Sequence, residues 1–407
     1  MRILHTADWH LGQTLNGWSR EAEHRAFFNA LVDVLVAEAV DVLLVAGDVF
    51  DGINPSGETQ ALLYSTLARF LRLRPGLQIV MIAGNHDPAQ RLEAPEAVLR
   101  ALGVHLVGTL HRKDGVVDMD RHLIPLQDAT GTPAAYVLAI PFLRQADLPG
   151  LTLAATGGAE PAIVAAVRRL HAEMTDAAVA RSTGLPLLAM GHLTCAGGLE
   201  SEGAERRILI GGAHAVPPDL FPPALSYVAL GHLHRPQSLE GGRVRYSGSP
   251  FALSAAEISY NHGVTLLDLA QGISPRHIPL PCCVPVVRLP SAGAAPLAEV
   301  AAALAALDPD PDTPLSEQLF VYLHLTADRP ATTLMAEAEA LLARYSVRTA
   351  GLSIARGDMP AHQPPPPSLA DTSPEDLFIA AYFDTHQLEP DSRHIAAFRD
   401  VFSEVEA

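Results

Sequence analysis

Lysine is almost absent from this chain: Lys113 is the only one, against 27 arginines. A Walker A loop needs Gly-Lys-Ser/Thr, and Lys113 stands between Arg112 and Asp114, which excludes a P-loop ATPase. Cysteine is nearly as scarce. Cys195 and the adjacent Cys282 and Cys283 make neither a disulfide framework nor a zinc-knuckle spacing, so a bound metal would have to be held by oxygen and imidazole. Long apolar runs are missing too. The richest, residues 30–46, carries Asp33, Glu38 and Asp41, well short of the roughly 18 uncharged apolar residues of a membrane span. Arg2 leads straight into Ile3-Leu4-His5 without a secretory leader pattern, so a soluble cytoplasmic protein is expected. Positive charge is also short, with 28 basic residues against 45 acidic ones and a net charge of −17. Phosphate binding is supplied mainly by Lys and Arg. Any affinity for nucleic acid must therefore be local, assisted by bound cations, or borrowed from a basic partner.

What the chain does have is a set of five short motifs, each closing an apolar run with metal-ligand residues. They are Asp8-Trp9-His10, Gly47-Asp48-Val49-Phe50-Asp51, Gly84-Asn85-His86-Asp87, Gly191-His192 and Gly231-His232-Leu233-His234. Asp-x-His or Gly-Asp alone is commonplace as a turn or cap; all five in this order, each behind a strand-like run, describe a two-metal hydrolytic centre. Asp8 and His10 are two apart, as are His232 and His234, so on extended backbone each pair faces one side. Asp48 follows the run 42–46 and can project from the carboxyl edge of its strand, where open α/β sheets place ligands. One carboxylate is a natural bridge between two metals about 3.5–4 Å apart. Asn85 adds an amide oxygen and His192 another imidazole. Such mixed donors without thiolate suit Mn²⁺, Fe²⁺ or Zn²⁺ better than Ca²⁺ or Mg²⁺. His86, beside Asn85, is placed to hydrogen-bond a phosphate oxygen or protonate a departing alkoxide. Asp51 and Asp87 are expected to support the ligand loops, Asp87 by orienting the loop of His86.

Apolar strand-like runs at 2–7, 42–46 and 78–83 alternate with helical periodicity at 21–40, 57–73 and 91–102, which indicates an α/β layered core. Further strands are expected at 136–141, 187–190, 227–230, 243–246 and 263–269, with a helix near 162–179 and a loose Ala/Gly-rich segment at 156–160. The core should occupy residues 1–275. A small α+β unit at 284–356 follows, patterned strand, helix, strand, helix, strand. A proline-rich linker at 357–372 then leads to a helix pair at 373–407. Ser373-Pro374-Glu375-Asp376 is a good helix start. Leu377, Phe378, Ala381 and Tyr382 line one helix, and Ile395, Phe398, Phe402 and Val405 the other. Such a pair either folds back on its own chain or docks on a partner.

These motifs resemble the calcineurin-like metallophosphoesterases and, among them, the nuclease-subunit (SbcD) family of bacterial SbcCD exonucleases. The resemblance rests on His5-Thr6-Ala7-Asp8-Trp9-His10-Leu11-Gly12, on Ala46-Gly47-Asp48-Val49-Phe50-Asp51, and on the stretch from Tyr227 through Gly231-His232-Leu233-His234 to Gln237, followed by Tyr246-Ser247-Gly248-Ser249-Pro250. It implies an α/β fold with αββα layering, the 284–356 unit as a cap over DNA, and a helical tail that binds an ABC-type coiled-coil ATPase, SbcC. It also implies Asp8, His10, Asp48 and His234 around one metal and Asp48, Asn85, His192 and His232 around the other, with His86 acting on the phosphate. The implied activity is a Mn²⁺-dependent nuclease on DNA ends, a 3′–5′ exonuclease on duplexes and an endonuclease on single strands and hairpins, in DNA repair and recombination. A metallophosphatase or cyclic-nucleotide phosphodiesterase shares the metal set and is the alternative. Arg20, Arg25 and Arg235 are expected to contact DNA from their nearness to the motifs. A homodimer within a heterotetramer, associated with the nucleoid, is expected, with Leu63, Leu67, Phe70, Leu71, Val98 and Leu102 as the candidate dimer surface.

Overall fold

The computed structural model describes residues 1–148, 162–200, 215–355, 374–386 and 390–406. The expected loose segment at 156–160 and the linker at 357–372 lie outside the described residues. The chain divides into two units, Met1–Ala355 and Arg356–Ala407.

At the centre of the first unit two six-stranded sheets are stacked. One runs in the order Arg276–Pro279, Gly263–Asp268, Arg2–Thr6, Val42–Ala46, Gln78–Ile82, Val104–Val107. Its last four strands are parallel, and Gly263–Asp268 runs antiparallel to both of its neighbours. The other runs Gln237–Leu239, Val244–Tyr246, Tyr227–Gly231, Leu187–His192, Pro133–Ala139, Leu123–Gln127, with four parallel strands between antiparallel edges. The central strands are unbroken apolar runs because both of their faces are covered. Leu43 and Val45 point to the helices Glu21–Ala37 and Gly57–Leu73, meeting Phe28, Leu31, Leu63 and Phe70. Val42 and Leu44, one residue out of phase, meet Leu188, Met190 and Tyr227 of the other sheet. Leu187 and Ala189 pack on Val167, Leu170 and Met174 of the helix Ala162–Arg181. The layering is therefore αββα.

Several expectations need correction. The strand Arg276–Pro279 pairs with Gly263–Asp268, so the layered core runs past residue 275. Residues 91–102 form two short helices, Ala89–Glu93 and Glu96–Arg100, separated at Pro95, which lacks the N–H a continuous helix needs. Leu63, Leu67 and Phe70 are buried against the sheet and offer no surface to a second copy. Val98 and Leu102 remain exposed.

Residues 286–355 form a three-stranded parallel sheet, Val286–Leu289, Phe320–Thr326 and Arg348–Ala355. The helices Leu297–Ala306 and Ala331–Leu342 cover it through Val300, Leu304, Leu334 and Ala338. This cap joins the layered core through Val286, Phe320 and Ala350, which pack with Leu15 and Ala252. In the second unit the helices Pro374–His386 and Ser392–Glu406 stack Phe378 on Phe398 with ring centroids 4.6 Å apart, and Arg399 pairs with Glu375. No helix among the described residues is long and apolar enough to cross a membrane.

Candidate metal centre

Every ligand-bearing motif sits at the carboxyl end of a parallel strand. Asp8 and His10 follow Arg2–Thr6, Asp48 follows Val42–Ala46, and Asn85 and His86 follow Gln78–Ile82. From the second sheet, His192 ends Leu187–His192, and His232 and His234 follow Tyr227–Gly231. Both sheets thus deliver donors to one rim. Three groups of ligand atoms close to within 4.8 Å: Asp8 with His10 and His234, His10 with Asp48 and His86, and Asp48 with His192 and His232. Oδ1 of Asn85 lies 3.0 Å from Nε2 of His192 and 3.2 Å from Nδ1 of His232. All seven expected ligands therefore meet.

Asp48 stands between the two halves. Its Oδ2 is 3.6 Å from Nε2 of His10 and 3.3 Å from Nε2 of His192, while its Oδ1 accepts the backbone N–H of His86 at 2.9 Å. Its carboxyl is buried, which by itself raises the pKa, yet His192, His10 and His86 hold it well below the usual carboxylate range. Burial pulls the other way on His192, but Asp48 raises that imidazole to about 9. Burial and the neighbouring His192 push His232 down to about 3. Burial also raises Asp8.

The backbone reaches this geometry by a route the spacing does not disclose. Asp8, His10, Asp48 and His232 all take positive φ, at 54°, 48°, 48° and 100°. Residues other than glycine adopt such values rarely, and they concentrate at functional sites. Asp8 and His10 consequently converge through two left-handed kinks rather than through the alternation of an extended strand. Gly84 is required by crowding, since a β-carbon there would overlap the Asp48 carboxylate.

Supporting contacts fix each ring. Nδ1 of His10 lies 3.1 Å from Oδ1 of Asp51, and Nδ1 of His192 donates to the Ala46 carbonyl at 2.8 Å. The buried carboxylate of Asp87 accepts the N–H groups of Val49, Phe50 and Gly84 at 3.1, 2.8 and 2.8 Å, which ties the Asp48 loop to the His86 loop. Burial and the nearby Asp48 raise Asp87 to about 6. Glu257, which sequence reasoning did not single out, is fully buried with Oε1 3.0 Å from Nδ1 of His234. Its setting, Ala256-Glu257-Ile258, carries no motif, and only the fold brings it to the histidine.

Two buried polar atoms in the centre, Oδ2 of Asp8 and Nε2 of His10, have no hydrogen-bond partner. Burying such groups unpaired is costly. Together with an oxygen and imidazole donor set, they fit divalent cations.

Of the three arginines expected on DNA, Arg20 is misplaced by that expectation. It is fully buried, paired with Glu23, donating to the Ala252 carbonyl and lying over the Phe251 and Phe320 rings. It joins core to cap. Arg25 is exposed and pairs with Glu21; Arg235 is exposed, with its guanidinium 5.5 Å from the Tyr260 ring centroid.

Residues 1–236 match the family described as calcineurin-like phosphoesterase, and residues 282–385 match the type 5 capsule protein repressor C-terminal domain. A curated protein of Rhodobacter capsulatus, named as the SbcD component of the nuclease SbcCD, is 66% identical over 384 residues, 94% of each chain. This chain belongs to the SbcD family of calcineurin-like phosphoesterases. The SbcD proteins of Escherichia coli and Bacillus subtilis are 38% and 34% identical, each across 67% of this chain and 66% and 67% of their own length. As an SbcD family member the chain is a metal-dependent hydrolase, a nuclease by family.

Proposed function

We propose that this chain is the nuclease component of an SbcCD-type complex. It hydrolyses DNA phosphodiesters with two divalent cations, Mn²⁺ foremost, as a 3′–5′ exonuclease on duplex ends and an endonuclease on single strands and hairpins. The observation that carries this reading is the position of Asp48, buried between His10 on one side and His192 on the other. Asp8, His10, Asp48 and His234 would hold one cation, and Asp48, Asn85, His192 and His232 the other. Two cations there would lower the pKa of an intervening water and offset phosphoryl charge. Two carboxylates and one hydroxide against two divalent ions leave about one positive charge, matched to a phosphodiester monoanion.

His86 acts from the rim. Its Nδ1 donates to the Asp51 carbonyl at 2.8 Å, which fixes the ring and makes Nε2 the atom that exchanges a proton with the leaving alkoxide. Asp51 and Asp87 hold the loops in place. Arg25 and Arg235 are the surface arginines for the DNA backbone. With a net charge of −17, most phosphate affinity comes from a partner, an SbcC-type ABC ATPase whose coiled-coil base receives the helix pair 374–406. Val98 and Leu102 supply the apolar surface for a homodimer inside a heterotetramer. A repair and recombination nuclease of this kind works in the cytoplasm, at the nucleoid.

The test compares cleavage of a blunt duplex, a hairpin and a nitrophenyl phosphodiester across a metal series, for wild type and Asp48→Ala, with and without the partner ATPase. Mn²⁺-dependent cutting of both DNAs, lost in Asp48→Ala, is expected. Rapid turnover of the small ester with intact DNA would make the protein a phosphatase or small-molecule phosphodiesterase instead.

A further inference from the structure

Glu257 lies in a short turn, Ala255–Glu257, that faces two ways. Toward the metal centre, its Oε1 is 3.0 Å from Nδ1 of His234. Its own orientation is over-determined: Oε2 accepts the Leu253 N–H at 2.9 Å and Oε1 accepts the Ser254 hydroxyl at 3.1 Å. Toward the cap, the same segment is a packing surface. Ala252 and Ile258 pack with Val286, Phe320, Ala350 and Tyr322 of the cap. Arg20, stacked on Phe320, donates to the Ala252 carbonyl at 3.0 Å, and the Tyr322 phenol engages the Ala255 backbone.

We propose that Glu257 is a positioning residue that fixes His234 toward its cation and couples the seat of the cap to the Asp8, His10 and His234 half of the metal centre. The inference rests on the reading that a cation binds in that half. A carboxylate on Nδ1 directs Nε2 to the metal, sets the ring plane and raises its donor strength. The other half has different support, because His192 is backed by the neutral carbonyl of Ala46. A shift of the cap therefore reaches one half through the 252–258 segment and leaves the other unmoved.

The experiment is a Mn²⁺ titration of the full chain by calorimetry, with circular dichroism of each variant. For Glu257→Gln, one of two sites weakens by about 10–100-fold while the other keeps its affinity. Glu257→Asp, which keeps the charge but is one methylene short, weakens that same site by less. Tyr322→Phe, in the cap, shifts the same site in the same direction by a smaller factor. Unchanged titrations for Glu257→Gln, or equal weakening of both sites, would overturn the positioning role. An unchanged titration for Tyr322→Phe beside a shifted Glu257→Gln would overturn the coupling to the cap. If Glu257→Gln does not fold, Glu257→Asp decides: one weakened site supports the role and wild-type affinity refutes it. A wild-type chain that takes up only one ion defeats the two-cation reading itself, whereas loss of that ion's affinity in Glu257→Gln still supports Glu257.

Discussion

Oδ2 of Asp48 lies 3.3 Å from Nε2 of His192, and both side chains are buried. Without metal this is a carboxylate against a raised imidazole at about 9, so a proton occupies the ground where the proposed cation would bind. Metal affinity should accordingly rise with pH up to about 9, because binding expels that proton. The metal-free protein shows the complementary trend. A histidine raised on folding contributes stability that is complete below about 6.5 and lost as pH climbs through the folded value near 9. Melting curves in chelator should fall across that window, and curves in saturating Mn²⁺ should not. A flat chelator profile would show that the pair is not protonated.

Asp48→Asn keeps the shape of the bridge and halves its capacity to bind cations. Cleavage should fall by about a hundredfold to a thousandfold, the scale for losing a group that stabilises transition-state charge. Single-turnover cleavage of a blunt duplex at saturating metal measures this directly.

His86 offers a contrast. His86→Ala should lower kcat by about a hundredfold to ten-thousandfold while leaving Mn²⁺ stoichiometry intact. Should metal content drop with activity, His86 would be a ligand and not a proton donor.

Gly84→Ala tests crowding rather than charge. The new β-carbon would overlap the Asp48 carboxylate, so the loop must yield at a cost of about 1–3 kcal/mol. Lower thermal stability and weakened metal binding should appear together in calorimetry.

The arginines should separate cleanly. Arg235→Ala and Arg25→Ala should each reduce the salt dependence of DNA binding by about one unit of slope without affecting stability. Arg20→Ala strips the buried Glu23 of its closer partner and leaves it only Arg348, 3.9 Å away. Breaking a buried pair costs up to about 3–5 kcal/mol, and a melting experiment will register it before any binding assay does.

The meeting of the seven side chains was legible in the chain because each motif closes an apolar run and four of the five open on a glycine, and that grammar survives without knowledge of strand order. The cap was legible for a similar reason: its strands and helices have clean periods. Glu257 was not, since its partner His234 is reached through the turn at 255–257 and no local pattern marks it. Arg20 failed for the opposite reason. Nearness in sequence to Asp8 and His10 says nothing about which way a side chain points, and Phe320, some three hundred residues on, draws it inward. Of the edge strands, Val104–Val107 has only four residues, and Leu123–Gln127 starts directly at the end of the helix Met119–His122 and contains Pro125, a residue that argues against a strand, so neither could be read.

The pairing of Arg2–Thr6 with Gly263–Asp268, together with donors as late as His234, bears on how the molecule comes into being on the ribosome. At about 5–20 residues per second, the opening strand, already beside Val42–Ala46, waits tens of seconds for its second neighbour, and Asp8 and His10 spend that interval without the His234 imidazole that lies beside them in the folded protein. A nascent polypeptide therefore cannot assemble its cutting centre until translation has passed both halves.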